Sequence, residues 1–133
     1  MNAPKYFIKT YGCQMNVHDS ERMAGMLESM GYLPVQTEED ANFILLNTCS
    51  IREKADQKLF TKLGRLSALK NGSGELVIAV AGCIAQRAAQ EILQRAPFVD
   101  LVLGPRAVPQ LPRMIEDYFD SGEKQICTDL PKD

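Results

Sequence analysis

Three of the four cysteines in this sequence each follow an apolar run closely: Cys13, Cys49 and Cys83. The runs that precede them are KYFIKTY (5–11), NFILLNT (42–48) and LVIAVAG (76–82). Four cysteines in 133 residues are too few for a disulfide scaffold, and thiols in a reducing compartment are available for metal or redox chemistry. The repeated placement of three cysteines after an apolar run therefore predicts a shared ligand site.

The spacing of these cysteines bears on which ligand they could hold. Structural zinc sites usually contain local C-x₂₋₄-C pairs, whereas 36 positions separate Cys13 from Cys49 and 34 separate Cys49 from Cys83. Zinc is disfavoured by this spacing but stays open. His18 is typical of a solvated or capping residue at a helix start and is not predicted as a ligand. Free cysteine is also a common core residue, so burial of the three as packing residues is the competing interpretation.

Alternation of short apolar runs with amphipathic segments predicts the elements that position the cysteines. The predicted strands are 5–11, 32–36, 42–48, 76–82 and 100–104. The predicted helices are one around Met23–Met30, one around 55–66, one over about 85–95 and one over about 109–120. We therefore predict an α/β fold with a doubly wound, mostly parallel five-stranded sheet, helices on both faces and a flavodoxin-like strand order.

That strand order would make the three strands that precede the cysteines immediate neighbours, about 4.8 Å apart. Loops at the carboxyl ends of parallel strands form the ligand-binding edge, so the three sulfurs could converge there. Each cysteine also precedes a predicted helix start, whose free N–H groups stabilise a thiolate. Gly12 and Gly82, each directly before a cysteine, predict close backbone approach or a positive φ.

Length and composition describe an ordinary globular domain. With 45% hydrophobic residues, 24% charged residues and a net charge of −2, the chain is not disordered as a whole. No apolar run approaches a membrane span and no secretory signal is visible, which predicts a cytoplasmic protein with no membrane partner. Residues 1–120 form the predicted domain, and the polar segment 121–133 is predicted to be a linker or tail. Cys127 lies in that segment without an assigned role.

The segment 52–70 has a basic character that the whole chain lacks. It contains six cations and two carboxylates, which gives +4 in a chain of −2. The residues spaced as one helical stripe are Lys54, Lys58, Lys62 and Arg65. A solvated helix face is the plainer interpretation, because no aromatic residue interleaves for base stacking, and a minor contact with RNA phosphates is the alternative.

Four segments together resemble the N-terminal domain of the methylthiotransferases. The segments are TYGCQMNVHDSE (10–21), LLNTCSIREKADQKLFTKLGRL (45–66), AVAGCIAQR (79–87) and RAPFVDLVLGPR (95–106). The resemblance covers about residues 5–120, and GCQMN with NTCSIREKA is similar to the tRNA-modifying branch of the family rather than the branch that modifies a ribosomal protein.

This resemblance implies that Cys13, Cys49 and Cys83 bind an auxiliary 4Fe-4S cluster used for sulfur insertion. It further implies a full-length transferase that adds a methylthio group to C2 of a dimethylallyl-modified adenosine beside the anticodon of tRNA. In the family, a second 4Fe-4S cluster and S-adenosylmethionine belong to a following radical SAM domain, held by a C-x-x-x-C-x-x-C motif that this sequence lacks. The isolated fragment is therefore expected to be inactive, and its uncovered domain face is a candidate site for self-association.

Two other functions remain open at the level of sequence. A nucleotide or flavin binder is disfavoured, because neither G-x-G-x-x-G nor G-x-x-x-x-G-K-[ST] follows any predicted strand. A non-catalytic interaction module with cysteines acting as a redox switch is the second alternative. A cluster requires all three cysteines, whereas a disulfide switch requires only two.

Overall fold

The computed structural model describes residues 4–12, 14–48, 53–73 and 76–128. Its strands are β1 (Lys5–Thr10), β2 (Leu33–Pro34), β3 (Phe43–Thr48), β4 (Val77–Gly82), β5 (Leu101–Leu103) and β6 (Gln125–Cys127). Its α-helices are α1 (Gln14–Ser29), α2 (Glu53–Ser73), α3 (Cys83–Arg95) and α4 (Leu111–Ser121). Short 3-10 segments at Glu38–Asp40 and Pro105–Gln110 complete the described elements.

The strands form one sheet in the order β2-β1-β3-β4-β5-β6, and every neighbouring pair is parallel. The α/β class with a parallel sheet is therefore confirmed. The prediction of five strands was wrong, because β6 pairs with β5 within the segment predicted as a linker or tail. This strand has three residues and exposes Ile126, so it lacks the apolar periodicity by which the other strands were found. Backbone bonds hold it, including one from the Gly104 N–H to the Cys127 carbonyl at 2.9 Å.

Helices cover both faces of the sheet, as predicted. On one face, Met23 and Leu27 of α1 and Met114 of α4 pack in a core with alternate residues of the strands. On the other face, Leu63 of α2 and Ile92 of α3 pack in a second core. The central strands β3 and β4 are buried along their whole length because both faces are covered, which explains why they are apolar except for Asn47 and Thr48 at the end of β3.

The second strand is short and lies at the edge of the sheet, where a proline such as Pro34 is tolerated. Leu33 and Pro34 pair with β1, and both are exposed. The chain then crosses to β3 through the single 3-10 turn Glu38–Asp40 in place of a helix. The connection between β2 and β3 therefore has no α-helix, and the strand predicted over 32–36 is reduced to two residues.

Asp100, at the amino end of β5, bonds to groups from three other elements. Its Oδ2 forms a short ion pair with Lys70 of α2 and accepts the Ile78 N–H at 3.0 Å, and its Oδ1 accepts the Tyr118 hydroxyl at 3.0 Å. Asp100 is 6% exposed. One buried carboxylate therefore links helices from both faces of the sheet to strand β4.

Two tyrosines, the buried Tyr6 and the partly buried Tyr118, make the stability of the fold depend on pH in alkaline solution. Burial, together with the hydrogen bond to Glu28, raises the pKa of Tyr6 to about 12. Burial, together with the charge of Asp100, raises the pKa of Tyr118 to about 12. Because each folded pKa exceeds the ordinary value of 10.0, the stability from the neutral phenols is complete below that value and is lost as pH rises through about 12.

We expect the tyrosines of the folded chain to ionise well above pH 10, since burial also raises the pKa values of Tyr11 and Tyr32. A spectrophotometric titration of tyrosinate measures this directly, with the chain in denaturant as the reference. Tyr6→Phe and Tyr118→Phe should each remove one late-titrating group and make the loss of stability above pH 10 less steep. Coincident titration curves for the folded and denatured chains would contradict the assignment.

Candidate metal centre at the carboxyl edge of the sheet

The strands that precede the three cysteines are neighbours in the sheet. Thr10 of β1 is in register with Asn47 of β3, and Thr48 of β3 is in register with Gly82 of β4. All three strands run parallel, so their carboxyl ends lie at the same edge. The strands therefore have the adjacency that the predicted site requires.

Of the predicted ligands, only Cys83 lies within the described residues. It is the first residue of α3, directly after β4, and it is exposed. Cys13 and Cys49 fall outside the described residues, so the convergence of the three sulfurs stays a prediction. The sequence predicted α3 from about residue 85, and the observed start at Cys83 places this thiol on the first turn of the helix.

Both glycines that precede cysteines have the predicted positive φ, +102° at Gly12 and +100° at Gly82. A Cβ built at Gly82 would lie 2.2 Å from the Thr48 carbonyl oxygen and 2.8 Å from the Thr48 nitrogen. Gly82 is therefore required both for its backbone conformation and for the close approach of β4 to β3. It fixes the direction in which the chain leaves β4 for Cys83.

A buried polar network joins the start of α1 to the end of β3. The Asn16 side-chain amide donates to the Thr48 carbonyl at 2.8 Å, and the Asn47 amide donates to the Asn16 carbonyl at 2.8 Å. The Asn47 amide also donates to the Ser20 hydroxyl at 3.0 Å, which lies 2.7 Å from the Thr10 hydroxyl. These bonds lock the start of α1 against the end of β3, because leaving buried polar groups unpaired is costly.

The Thr48 side chain links the end of β3 to the start of α3. Its hydroxyl donates to the Ala81 carbonyl at 2.7 Å and accepts the Ile84 N–H at 3.2 Å. Ile84 is the second residue of α3, so a hydroxyl from a neighbouring strand caps one of the free N–H groups at this helix start. Asn16, Asn47 and Thr48 thus position the described segments that adjoin the three cysteines.

Sequence reasoning did not assign a role to Asn47 or Thr48. Asn47 and Thr48 are 1% and 0% exposed, at the end of a strand that is otherwise apolar. A polar pair that ends a fully buried run was the available signal, since buried polar groups need partners. His18, by contrast, is exposed and lies 3.8 Å from Glu21 on the same helix, which agrees with the interpretation as a solvated residue.

The residues at this edge fit an iron–sulfur cluster as far as they are described. The donor is an exposed thiol at a helix start, the chemistry by which proteins hold such clusters. No group of three or more His, Cys, Asp or Glu that could hold a metal occurs within the described ranges, which omit two of the three predicted ligands. Cys127 lies on β6 and is half-buried against the core of the α1 and α4 face.

The chain is a member of the uncharacterized protein family UPF0004, whose model matches residues 5–104. No helix in the described part of the chain is long and apolar enough to cross a membrane.

Close relatives share one name, tRNA-2-methylthio-N(6)-dimethylallyladenosine synthase, which confirms the resemblance to methylthiotransferases. The chain is 54% identical to the synthase of Ruegeria sp. (strain TM1040) over 134 aligned residues, which is 100% of this chain and 30% of that protein. It is 54% identical to the synthase of Jannaschia sp. (strain CCS1), over 97% of this chain and 28% of that protein. The chain therefore spans about a third of the length of these relatives.

Proposed function

We propose that this chain is the cluster-binding N-terminal part of a tRNA methylthiotransferase. In this proposal, Cys13, Cys49 and Cys83 hold an auxiliary 4Fe-4S cluster and the full-length protein adds a methylthio group to C2 of a dimethylallyl-modified adenosine beside the anticodon. The observation that supports it most directly is the adjacency of β1, β3 and β4, with a cysteine following each. The name shared by the relatives supports the substrate.

Three thiolates on four irons would leave one iron without a protein ligand, where a sulfur species can bind. The chain's own residues perform the positioning. Gly82 sets the path of the backbone into Cys83, and the Thr48 hydroxyl fixes the first turn of α3. Asn16 and Asn47 hold the segment that follows Cys13 against the end of β3.

The remaining parts of the reaction belong elsewhere in the full-length protein. We assign residues 1–120 together with strand β6 to the auxiliary cluster domain, and the rest of 121–133 to the connection with a radical SAM domain, which would supply the second 4Fe-4S cluster and S-adenosylmethionine. The chain alone is then inactive toward tRNA. In the cell, the full-length enzyme would act in the cytoplasm, and the isolated chain could self-associate through the face that the radical SAM domain covers.

Anaerobic reconstitution with iron and sulfide tests the cluster assignment. We expect about four irons per chain, with the absorbance and reduced-state paramagnetic resonance of a 4Fe-4S cluster. Cys13→Ala, Cys49→Ala and Cys83→Ala should each lose that signal, because all three thiolates are ligands. Cys127→Ala is the matched control and should keep it.

Three results would contradict the proposal. One is a native chain that stays folded by circular dichroism yet takes up no iron. Another is a bound metal that survives Cys83→Ala. The third is a disulfide that needs only two of the cysteines, which would indicate a redox switch.

A further inference from the structure

A groove of about 720 Å³ lies between the end of β1 and the helix α2, which are distant in sequence. We call it the basic groove, and its lining residues are Lys9, Thr10, Tyr11, Gly12, Gln57, Lys58, Thr61, Lys62 and Arg65. Four of these nine side chains are cations, and none of the nine is a carboxylate. The groove therefore concentrates positive charge in a chain whose net charge is −2.

Most of this charge is uncompensated. Lys62 forms an ion pair with Glu38 at 2.5 Å, and this carboxylate compensates the charge of Lys62. Within the described ranges, no carboxylate lies at ion-pair distance from Lys9, Lys58 or Arg65. Three such cations around one open groove form an electrostatic site for a polyanion, because opposing walls of the same sign focus the field.

The uncharged residues that line the groove also suit phosphate esters, as its cations do. Thr61 and Gln57 offer hydroxyl and amide donors beside the cations, and Arg65 supplies a planar guanidinium that can bond two phosphate oxygens at once. The ring of Tyr11 lines the groove, with the Lys9 ammonium 5.9 Å from its centroid. An aromatic ring beside cations is the combination found in single-strand binding grooves.

The groove also reaches the edge proposed for the cluster. Gly12 lines it and immediately precedes Cys13 in the chain. A polymer held along the groove would therefore be anchored next to that edge, with its charged backbone on α2. A lone surface patch on a remote face would not provide this proximity.

We infer that the basic groove binds the phosphate backbone of RNA through Lys9, Lys58 and Arg65. The identity of the polymer as RNA rests on the proposed function, whereas its polyanionic character rests on the groove. Lys58 and Arg65 are the most informative pair, since both are exposed on α2 and take no part in the buried cores.

The test is fluorescence anisotropy of a labelled RNA anticodon stem-loop with the purified chain across a salt series. We expect Lys58→Gln with Arg65→Gln to weaken binding about tenfold or more at low salt. The slope of log affinity against log salt should fall by about 1.4 to 1.8, because each lost phosphate contact removes about 0.7 to 0.9. Glutamine keeps the helix propensity, so the fold should be retained.

The matched control is Arg22→Gln with Arg113→Gln, which removes the same charge from α1 and α4 on the opposite face of the sheet. This pair should leave the salt slope near that of the native chain. If the two paired substitutions weakened RNA binding equally, binding would depend on net charge alone, and this would overturn the inference. So would a native chain that does not bind the RNA, or displacement of the RNA by inorganic phosphate at equal ionic strength.

The outcome is separable from that of the cluster test. RNA binding that depends on Lys58 and Arg65 in a chain that takes up no iron would support the groove and contradict the proposed function. Full iron uptake, with RNA binding unchanged by the paired substitution, would support the proposed function and contradict the groove as an RNA site.

Discussion

Gly82→Ala is expected to lower the free energy of unfolding by about 3 kcal/mol or more, since backbone strain of this kind costs about 1 to 3 kcal/mol before any clash is counted. At φ +100° and ψ −163°, Gly82 occupies a region that other residues rarely adopt. The added methyl group would also lie 2.2 Å from the Thr48 carbonyl oxygen, which is backbone of a central buried strand and cannot turn away. The substitution must therefore separate the ends of β3 and β4.

Gly31→Ala is the matched control for this substitution. Gly31 has almost the same φ, +97°, but nothing lies within 4 Å of its added Cβ. Denaturant unfolding of both variants separates the strain of the backbone from the clash. Equal losses of stability would contradict the close approach that we assign to Gly82. Gly82→Ala should also impair iron uptake, because it shifts the strand end that leads into Cys83.

The sequence was sufficient to predict the strands that are buried on both faces of the sheet. Strands β3 and β4 have six buried residues each, and the apolar runs that make up most of these strands can be recognised between amphipathic segments without a structure. At Gly12 and Gly82 the sequence indicated either a close backbone approach or a positive φ, and the structure has a positive φ at both. Strand β6 was not predictable, since it is held by backbone pairing and presents no buried apolar face.

The sequence predicted the strands that support the candidate site, but it did not predict the contacts between elements that are distant in sequence. Helical spacing found the basic stripe on α2, but it could not show that Lys62 pairs with Glu38 and Lys70 with Asp100, both distant in sequence. Nor could it show that Tyr11 from the end of β1 supplies an aromatic ring to the groove along α2. These contacts depend on how elements distant in sequence pack against one another, and a local sequence pattern contains no information on that packing.

Asp100→Ala is expected to destabilise the fold by about 3 kcal/mol, because removing one member of a buried ion pair costs roughly 3 to 5 kcal/mol. The Lys70 ammonium would keep only the Phe98 carbonyl as a partner at 2.8 Å. The Ile78 N–H and the Tyr118 hydroxyl would lose the carboxylate that accepts them, at 3.0 Å each. The three losses act together, because all three groups bond to the same side chain.

Urea unfolding measures this effect, and three further variants locate its cause: Asp117→Ala, Lys70→Met and Lys70→Met combined with Asp100→Ala. Asp117→Ala breaks an exposed pair with Arg113 at 3.9 Å and should change stability by less than about 1 kcal/mol. Lys70→Met combined with Asp100→Ala should recover part of the loss, because it removes the partly buried ammonium that lacks its partner. If the double variant were as unstable as the sum of the two single variants, Asp100 and Lys70 would act independently. Asp100 would then stabilise the fold mainly through Ile78 and Tyr118, and not by linking α2 to the sheet.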